Sequence, residues 1–204
     1  MSMPPSGEAI TAKDLVELNK KKINLKKVGR NILRAFLTTS IRDGLFHADM
    51  HQGNLFVEKG EKIIAVDFGI VGHLDFDSKQ YLNNILLGFI NRDYDKIAKI
   101  HFQAGYVPQT EDKRKFAQAL RSIGEPIQGK DAKDISIGGL LTQLFEITNQ
   151  FNMKTQPQLL LLQKTMVVVE GVARKLNPET NIWETSRPVL EKWLRETKDP
   201  INNF

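Results

Sequence analysis

The chain of 204 residues contains no cysteine. Disulfides, thiolate zinc centres and cysteine nucleophiles are thereby excluded, and a reducing compartment is compatible with the composition. A secretory signal is missing too: Met1 to Thr11 holds Pro4, Pro5, Ser6 and Gly7 but neither a basic n-region nor an apolar core. Nor is there a long apolar run. The most hydrophobic stretch, Leu159 to Val172, is interrupted by Gln163, Lys164 and Glu170, well short of the roughly 20 apolar residues a spanning helix needs. It reads as a buried core helix. Repeats and low-complexity tracts are also absent.

What is present suits one well-buried core: 41% of residues are hydrophobic and 26% charged, and the length is too short for two ordinary domains and a linker. The net charge is +5, with a concentration at Lys20, Lys21, Lys22, Lys26, Lys27, Arg30 and Arg34. That cluster reads first as a solvated helix face, and second as a contact for an anionic membrane surface. Nucleic acid ranks last, because no aromatics interleave with the charges for base stacking.

Residues 1–11 read as a disordered leader. From Leu25 to Ile41 the apolar positions follow helical spacing, with Gly44 as a stop. Leu55-Phe56-Val57 and Ile63-Ile64-Ala65-Val66, separated by Glu58 to Lys62, predict a β-hairpin. Helices are expected over Asp77–Ile90, Asp93–Ala104, Glu111–Ile123, Ile137–Phe151, Pro157–Leu176 and Pro188–Glu196, with Pro157 and Pro188 in first turns. The fold class is mainly α with a small β-hairpin.

The chemistry sits at the two ends of that hairpin. His47-Ala48-Asp49-Met50-His51-Gln52-Gly53-Asn54 precedes it, and Asp67-Phe68-Gly69 follows it. An Asp, an Asn five positions on and a second Asp after an apolar strand form the polar set of a phosphoryl-transfer enzyme. The first Asp receives the acceptor's proton; the Asn and second Asp hold the metal ions that bridge nucleotide phosphates. Asp49 is therefore the candidate catalytic residue, and Asn54 and Asp67 the candidate Mg²⁺ ligands. An uncompensated carboxylate ending an apolar strand would be costly to bury, and a hard divalent cation is a ready partner. His47 reads as a structural imidazole, Phe68 as inward-packing, and Gly69 as the residue that turns the backbone. His51 has no assigned role; with His47 and Asp49 it makes a His-x-Asp-x-His set that could bind zinc, a reading that leaves Asp-Phe-Gly unexplained. His73 and His101 are weaker candidates still. Trp183 and Trp193 read as packing anchors.

Position 48 is Ala where typical protein kinases carry Arg, only Ile70 to Phe76 separate Gly69 from the next helix, and no Ala-Pro-Glu follows. A protein substrate is disfavoured on these grounds.

The text Asp43-Gly44-Leu45-Phe46-His47-Ala48-Asp49-Met50-His51-Gln52-Gly53-Asn54-Leu55-Phe56-Val57 and Val66-Asp67-Phe68-Gly69-Ile70-Val71-Gly72 resembles the UbiB (ABC1/ADCK-type) family of atypical kinase-like proteins, in its bacterial branch. Similarity continues through Asn91 to Tyr94, Ala104 to Pro108 and Leu160 to Gly171. The resemblance implies a kinase-like fold, ATP and Mg²⁺ as cofactors, and ATP hydrolysis or small-molecule phosphotransfer in support of ubiquinone biosynthesis. It also implies a bacterial cytoplasmic location peripheral to the inner membrane, with quinone-biosynthesis proteins or lipid intermediates as partners and no nucleic acid. By motif match Asp49 takes the catalytic position and Asn54 and Asp67 the metal positions. The small-lobe motifs of that family are not found: no Lys-x-Gly-Gln, no alanine-rich nucleotide loop, no strand lysine with its helix glutamate. The expectation is a large (C-terminal) lobe alone over 12–204, inactive by itself. Its catalytic loop is 47–54, its metal loop 67–69 and its helical remainder 77–196, and the missing nucleotide-binding lobe comes from the same parent chain or a separate one. Two rival readings stand beside it: a small-molecule phosphotransferase similar to aminoglycoside or choline kinases, and a non-catalytic, lipid-binding pseudokinase scaffold.

Overall fold

In a computed structural model of the protein, residues 8–9, 22–127, 137–154 and 156–196 are described. Helix α1 (Leu25–Thr38) starts at Asn24, whose side chain accepts a hydrogen bond from the Lys27 amide at 3.1 Å, satisfying one of the free donors of the first turn. It buries Val28, Ile32, Leu33, Phe36 and Leu37, one stripe at helical spacing. Lys26, Lys27, Arg30 and Arg34 lie on the opposite, exposed side. Lys26 pairs there with Glu179 and Lys27 with Glu61, at 3.1 and 2.8 Å.

The α-helical geometry stops at Thr38 rather than Ile41, and a π turn (Thr39–Asp43) completes the run. The Thr39 and Ser40 hydroxyls donate to carbonyls of the preceding turn, among them Ser40 to Phe36 at 2.8 Å, and such back-bonding competes with the regular ladder. Gly44 then takes φ +70°, with the Leu74 carbonyl 2.9 Å from where a Cβ would stand. Glycine is demanded here twice over, by backbone and by space.

Strand β1 (Glu8–Ala9) pairs antiparallel with β3 (Leu55–Glu58), which pairs with β4 (Lys62–Ala65) in the expected hairpin. Glu8 and Ala9 fall inside the stretch expected to be disordered, yet form this edge strand; the rest of residues 1–11 lies outside the described residues. A second ribbon, not anticipated, joins β2 (Leu45–His47) to β5 (Val71–His73), with Phe46 opposite Gly72. A Cβ at Gly72 would meet the Phe46 ring at 2.1 Å, so the missing side chain is what lets Phe46 lie across the ribbon into the core.

The remainder is helical: α2 (Phe76–Asn91), α3 (Tyr94–Gln103), α4 (Lys113–Gly124), α5 (Ile137–Gln150), α6 (Pro157–Leu176) and α7 (Ile182–Glu196). Asp75, Asp93 and Asp112 cap α2, α3 and α4 through their carboxylates. One correction concerns α7, which starts at Ile182 and carries Pro188 inside it rather than in its first turn. Asn181 supplies the start: its Oδ1 accepts from the Glu184 amide and its carbonyl from the Thr185 hydroxyl. Trp193 is buried as expected; the Trp183 side chain lies outside the described residues.

Two hydrophobic clusters result. The larger gathers α1, β2, β3, α6 and α7, and the smaller gathers α3, α4 and the end of α5. Helix α2 is their common wall, turning Leu82, Leu86 and Leu87 to the first cluster and Ile85 and Phe89 to the second. No helix among the described residues is long and apolar enough to cross a membrane.

Candidate functional site

Strand β2 ends on His47 and the turn after it carries Asp49, a 3₁₀ turn (Gln52–Asn54) delivers Asn54, and the exit of β4 delivers Asp67. Backbone and side-chain bonds lock these three pieces together. The His47 Nε2–H donates to the Val66 carbonyl at 2.8 Å, and His47 Nδ1 accepts from the Asp49 amide at 3.1 Å. Both ring nitrogens are thus engaged and the tautomer is fixed. Neither retains a lone pair for zinc, and no group of three His, Asp or Glu side chains among the described residues is placed to hold a metal.

Asn54 is the hinge pin. Its Nδ2 donates to the Asp49 carbonyl at 3.1 Å, and its own carbonyl accepts from the Val66 amide at 3.0 Å. The residue before Asp67 is therefore held by Asn54 on one side and His47 on the other. With Nδ2 committed, Oδ1 is the free end of the Asn54 amide, a neutral oxygen on a side chain only 7% exposed.

Asp67 has φ +57°, a left-handed backbone that a non-glycine residue adopts at a cost and that concentrates at functional sites. Two expectations are corrected here. Asp67 itself makes the turn, whereas Gly69 keeps a negative φ, and the Asp67 carboxylate lies 3.4 Å from where a Gly69 Cβ would stand. Asp67 is also exposed, so no burial penalty attaches to its charge. A further correction is Phe68: it is 59% exposed, resting one face on the His47 ring at a centroid distance of 4.6 Å, because the left-handed Asp67 throws the next side chain outward.

His51 acquires a place. Its Nδ1 accepts from the Gly53 amide at 3.0 Å, starting the 3₁₀ turn. Its Nε2 lies 3.7 Å from Asp49 Oδ2, both side chains about half exposed. A Cβ on Gly53 would sit 2.9 Å from the His51 ring, so that glycine makes room for the imidazole. Thr165 was not foreseen. Its hydroxyl donates to the Leu161 carbonyl of its own helix at 2.8 Å, and from α6, 117 residues away, the same oxygen comes within 3.3 Å of the Ala48 carbonyl. The available signal was a hydroxyl residue on an otherwise apolar helix face beside Leu162 and Val169. His73 lies exposed on β5. His101 is buried in the smaller cluster, its Nδ1–H donating to Ile97 at 2.8 Å.

By donor chemistry, the Asn54 amide oxygen and the Asp67 carboxylate are hard ligands of the kind Mg²⁺ accepts, with its remaining positions left to water and phosphate.

The family model for the ABC1 atypical kinase-like domain matches residues 7–101, and that for the UbiB helical domain matches 120–181. The chain is 44% identical over 191 residues to a probable protein kinase UbiB of Marinobacter nauticus, covering 92% of this chain and 35% of the relative. It is 42% identical over 191 residues to the Enterobacter sp. protein of the same name, with the same two coverages of 92% and 35%. The Pseudomonas aeruginosa one is 43% identical over 202 residues, or 96% of this chain and 38% of that protein. The chain spans about a third of the length of the curated relatives it matches. These two family models, the second beginning inside α4, together with this likeness along nearly the whole chain, show that it belongs to the UbiB family of ABC1 atypical kinase-like proteins.

Proposed function

We propose that this chain carries the catalytic and metal-binding loops of an atypical kinase or ATPase that uses Mg²⁺-ATP in support of bacterial ubiquinone biosynthesis, on or near lipid intermediates at the inner membrane. Asp49 orients and deprotonates the attacking hydroxyl or water, while Asn54 Oδ1 and the Asp67 carboxylate hold the ion. His51, 3.7 Å from Asp49, is positioned to set the orientation of that carboxylate. His47 acts through the loop backbone, bonded to the Val66 carbonyl and the Asp49 amide. The adenine-holding half is assigned to the part of the longer relatives with which this chain does not align.

The observation that carries the reading is the double attachment of Asn54, to Asp49 on one side and to the residue before Asp67 on the other. A site needing one divalent ion between both loops needs that tie. The connection from Gly69 to α2 is taken up at once by β5, which leaves no extended platform for a peptide and favours a small or lipid acceptor.

The test uses a full-length protein containing this sequence. Asp67→Asn should lower Mg²⁺-dependent ATP hydrolysis by about 100-fold or more, the usual scale for losing one preorganised charge-stabilising group, and should abolish quinone production in a complementation strain. Unchanged hydrolysis and unchanged quinone would leave a non-catalytic scaffold as the better account.

A further inference from the structure

Between α2, α3 and the start of α4 lies a cavity of about 750 Å³, in the size range of small-ligand sites. None of the residues assigned above to the kinase-like loops lines it. Its apolar lining is Phe76, Tyr81 and Ile100, with Phe76 65% exposed. Four cations stand around it: Lys96 and Lys99 from α3, Lys113 and Arg114 from α4. All four are exposed, and none has an ion-pair partner among the described residues. Two carboxylates, Asp77 and Asp95, share the lining. Each sits in the first turn of its own helix, where the amide dipoles compensate it. Four positive groups against two negative ones leave the cavity net cationic.

Gln80 and Asn84 complete the wall with uncharged amide groups. An apolar lining and a cationic rim are together the complement of one kind of molecule. We infer that this cavity binds a single-chain amphiphile with a phosphate-type anionic head: the chain against Phe76, Tyr81 and Ile100, the head among Lys96, Lys99, Lys113 and Arg114.

The inference stands apart from the proposed catalysis and needs neither Mg²⁺ nor Asp67. Calorimetric titration of the chain with monodecyl phosphate, below its micelle concentration, should show one site. Inorganic phosphate alone and the uncharged decyl glucoside should each bind at least about 10-fold more weakly. Lys96→Gln/Lys99→Gln, on exposed positions, should weaken monodecyl phosphate binding about 10-fold without changing the far-ultraviolet circular dichroism. If that pair perturbs folding, Lys113→Gln/Arg114→Gln on the other helix reads the same contact. On the unaltered chain, raising salt should weaken the binding. Asp67→Asn should leave it unchanged, which separates this result from the fate of the kinase reading. Equal affinity for the neutral amphiphile, equal affinity for free phosphate, or indifference to both lysine pairs and to salt would overturn the inference.

Discussion

At the scale of single residues, two buried titratable groups set opposite limits on stability. Glu170 on α6 is 5% exposed, and burial pushes its carboxyl up to about 7, with Arg174 at 3.5 Å offsetting only part of the penalty. Below an ordinary value of 4.5 the group is protonated whether folded or not, and costs nothing. As pH rises from 4.5 through 7, the folded chain keeps a proton that the unfolded chain releases, so stability falls. Glu170→Gln should therefore be stabilising at pH 8, by up to about 3 kcal/mol, and near neutral at pH 4.5; urea melts at the two pH values check this. His101 runs the other way. Full burial lowers it from 6.5 to about 4, despite the bond to Ile97 that favours the charged ring. As pH drops from 6.5 towards 4 the unfolded chain takes up a proton that the folded one refuses, and stability is lost. His101→Phe, which keeps a ring against Phe116 and Tyr106, should flatten that acid limb. Of the site residues, the motif positions were legible because their types and spacing are set by chemistry. The roles of Phe68 and Gly69 were not, because they hang on the sign of one dihedral at Asp67, and Asp, unlike most residues, tolerates either sign.

At the scale of elements, helix packing is decided by small residues at close approaches. A Cβ at Gly29 on α1 would lie 2.7 Å from the Ala173 carbonyl on α6, whereas one at Gly171 on α6 would meet nothing within 4 Å. Intrinsic propensity favours alanine over glycine at both by about 1 kcal/mol, but the clash at Gly29 involves rigid backbone and costs about 1–3 kcal/mol. Gly29→Ala should thus destabilise and Gly171→Ala should stabilise by up to about 1 kcal/mol, read as opposite shifts in thermal midpoint. Long helices with clear periodicity, α2 to α4 and also α6 with Pro157 in its first turn, could be read from sequence to within a residue or two. The β2–β5 ribbon could not: three-residue strands are too short to show alternation, and the pairing is recorded only in the fit of Phe46 over Gly72. The early start of α7 was hidden by Pro188, which reads more naturally as a beginning than as an interior position.

At the scale of the whole molecule, the two hydrophobic clusters are unequal among the described residues, with 20 buried residues in one and 11 in the other. The smaller should open first. Amides of α3 and α4 are expected to exchange with solvent as one unit, faster than those of α1 and α6 under native conditions, and hydrogen-exchange mass spectrometry would resolve the two rates. Phe89→Ala on the shared wall should accelerate the α3–α4 unit while leaving α1 protected; equal acceleration everywhere would mean a single cooperative core. The boundary between the two clusters does not coincide with that between the two family models. Helix α6, in the UbiB helical domain, packs on α1 and on the β2 end of the ABC1 domain.

That crossing has a practical consequence for reading genomes. A frameshift or nonsense codon anywhere between residues 104 and 157 would leave every letter of the His-x-Asp and Asp-Phe-Gly signatures intact, and a motif search would score the product as a working allele. Deprived of α6, it would lose the Leu162, Val169 and Ala173 side chains that close the core over α1 and Phe46, and the Thr165 side chain that reaches within 3.3 Å of the Ala48 carbonyl from 117 positions downstream. Loss-of-function alleles in this gene family should accordingly include truncations that keep the whole signature, and a diagnosis of integrity has to weigh the downstream helix as heavily as the loop it steadies.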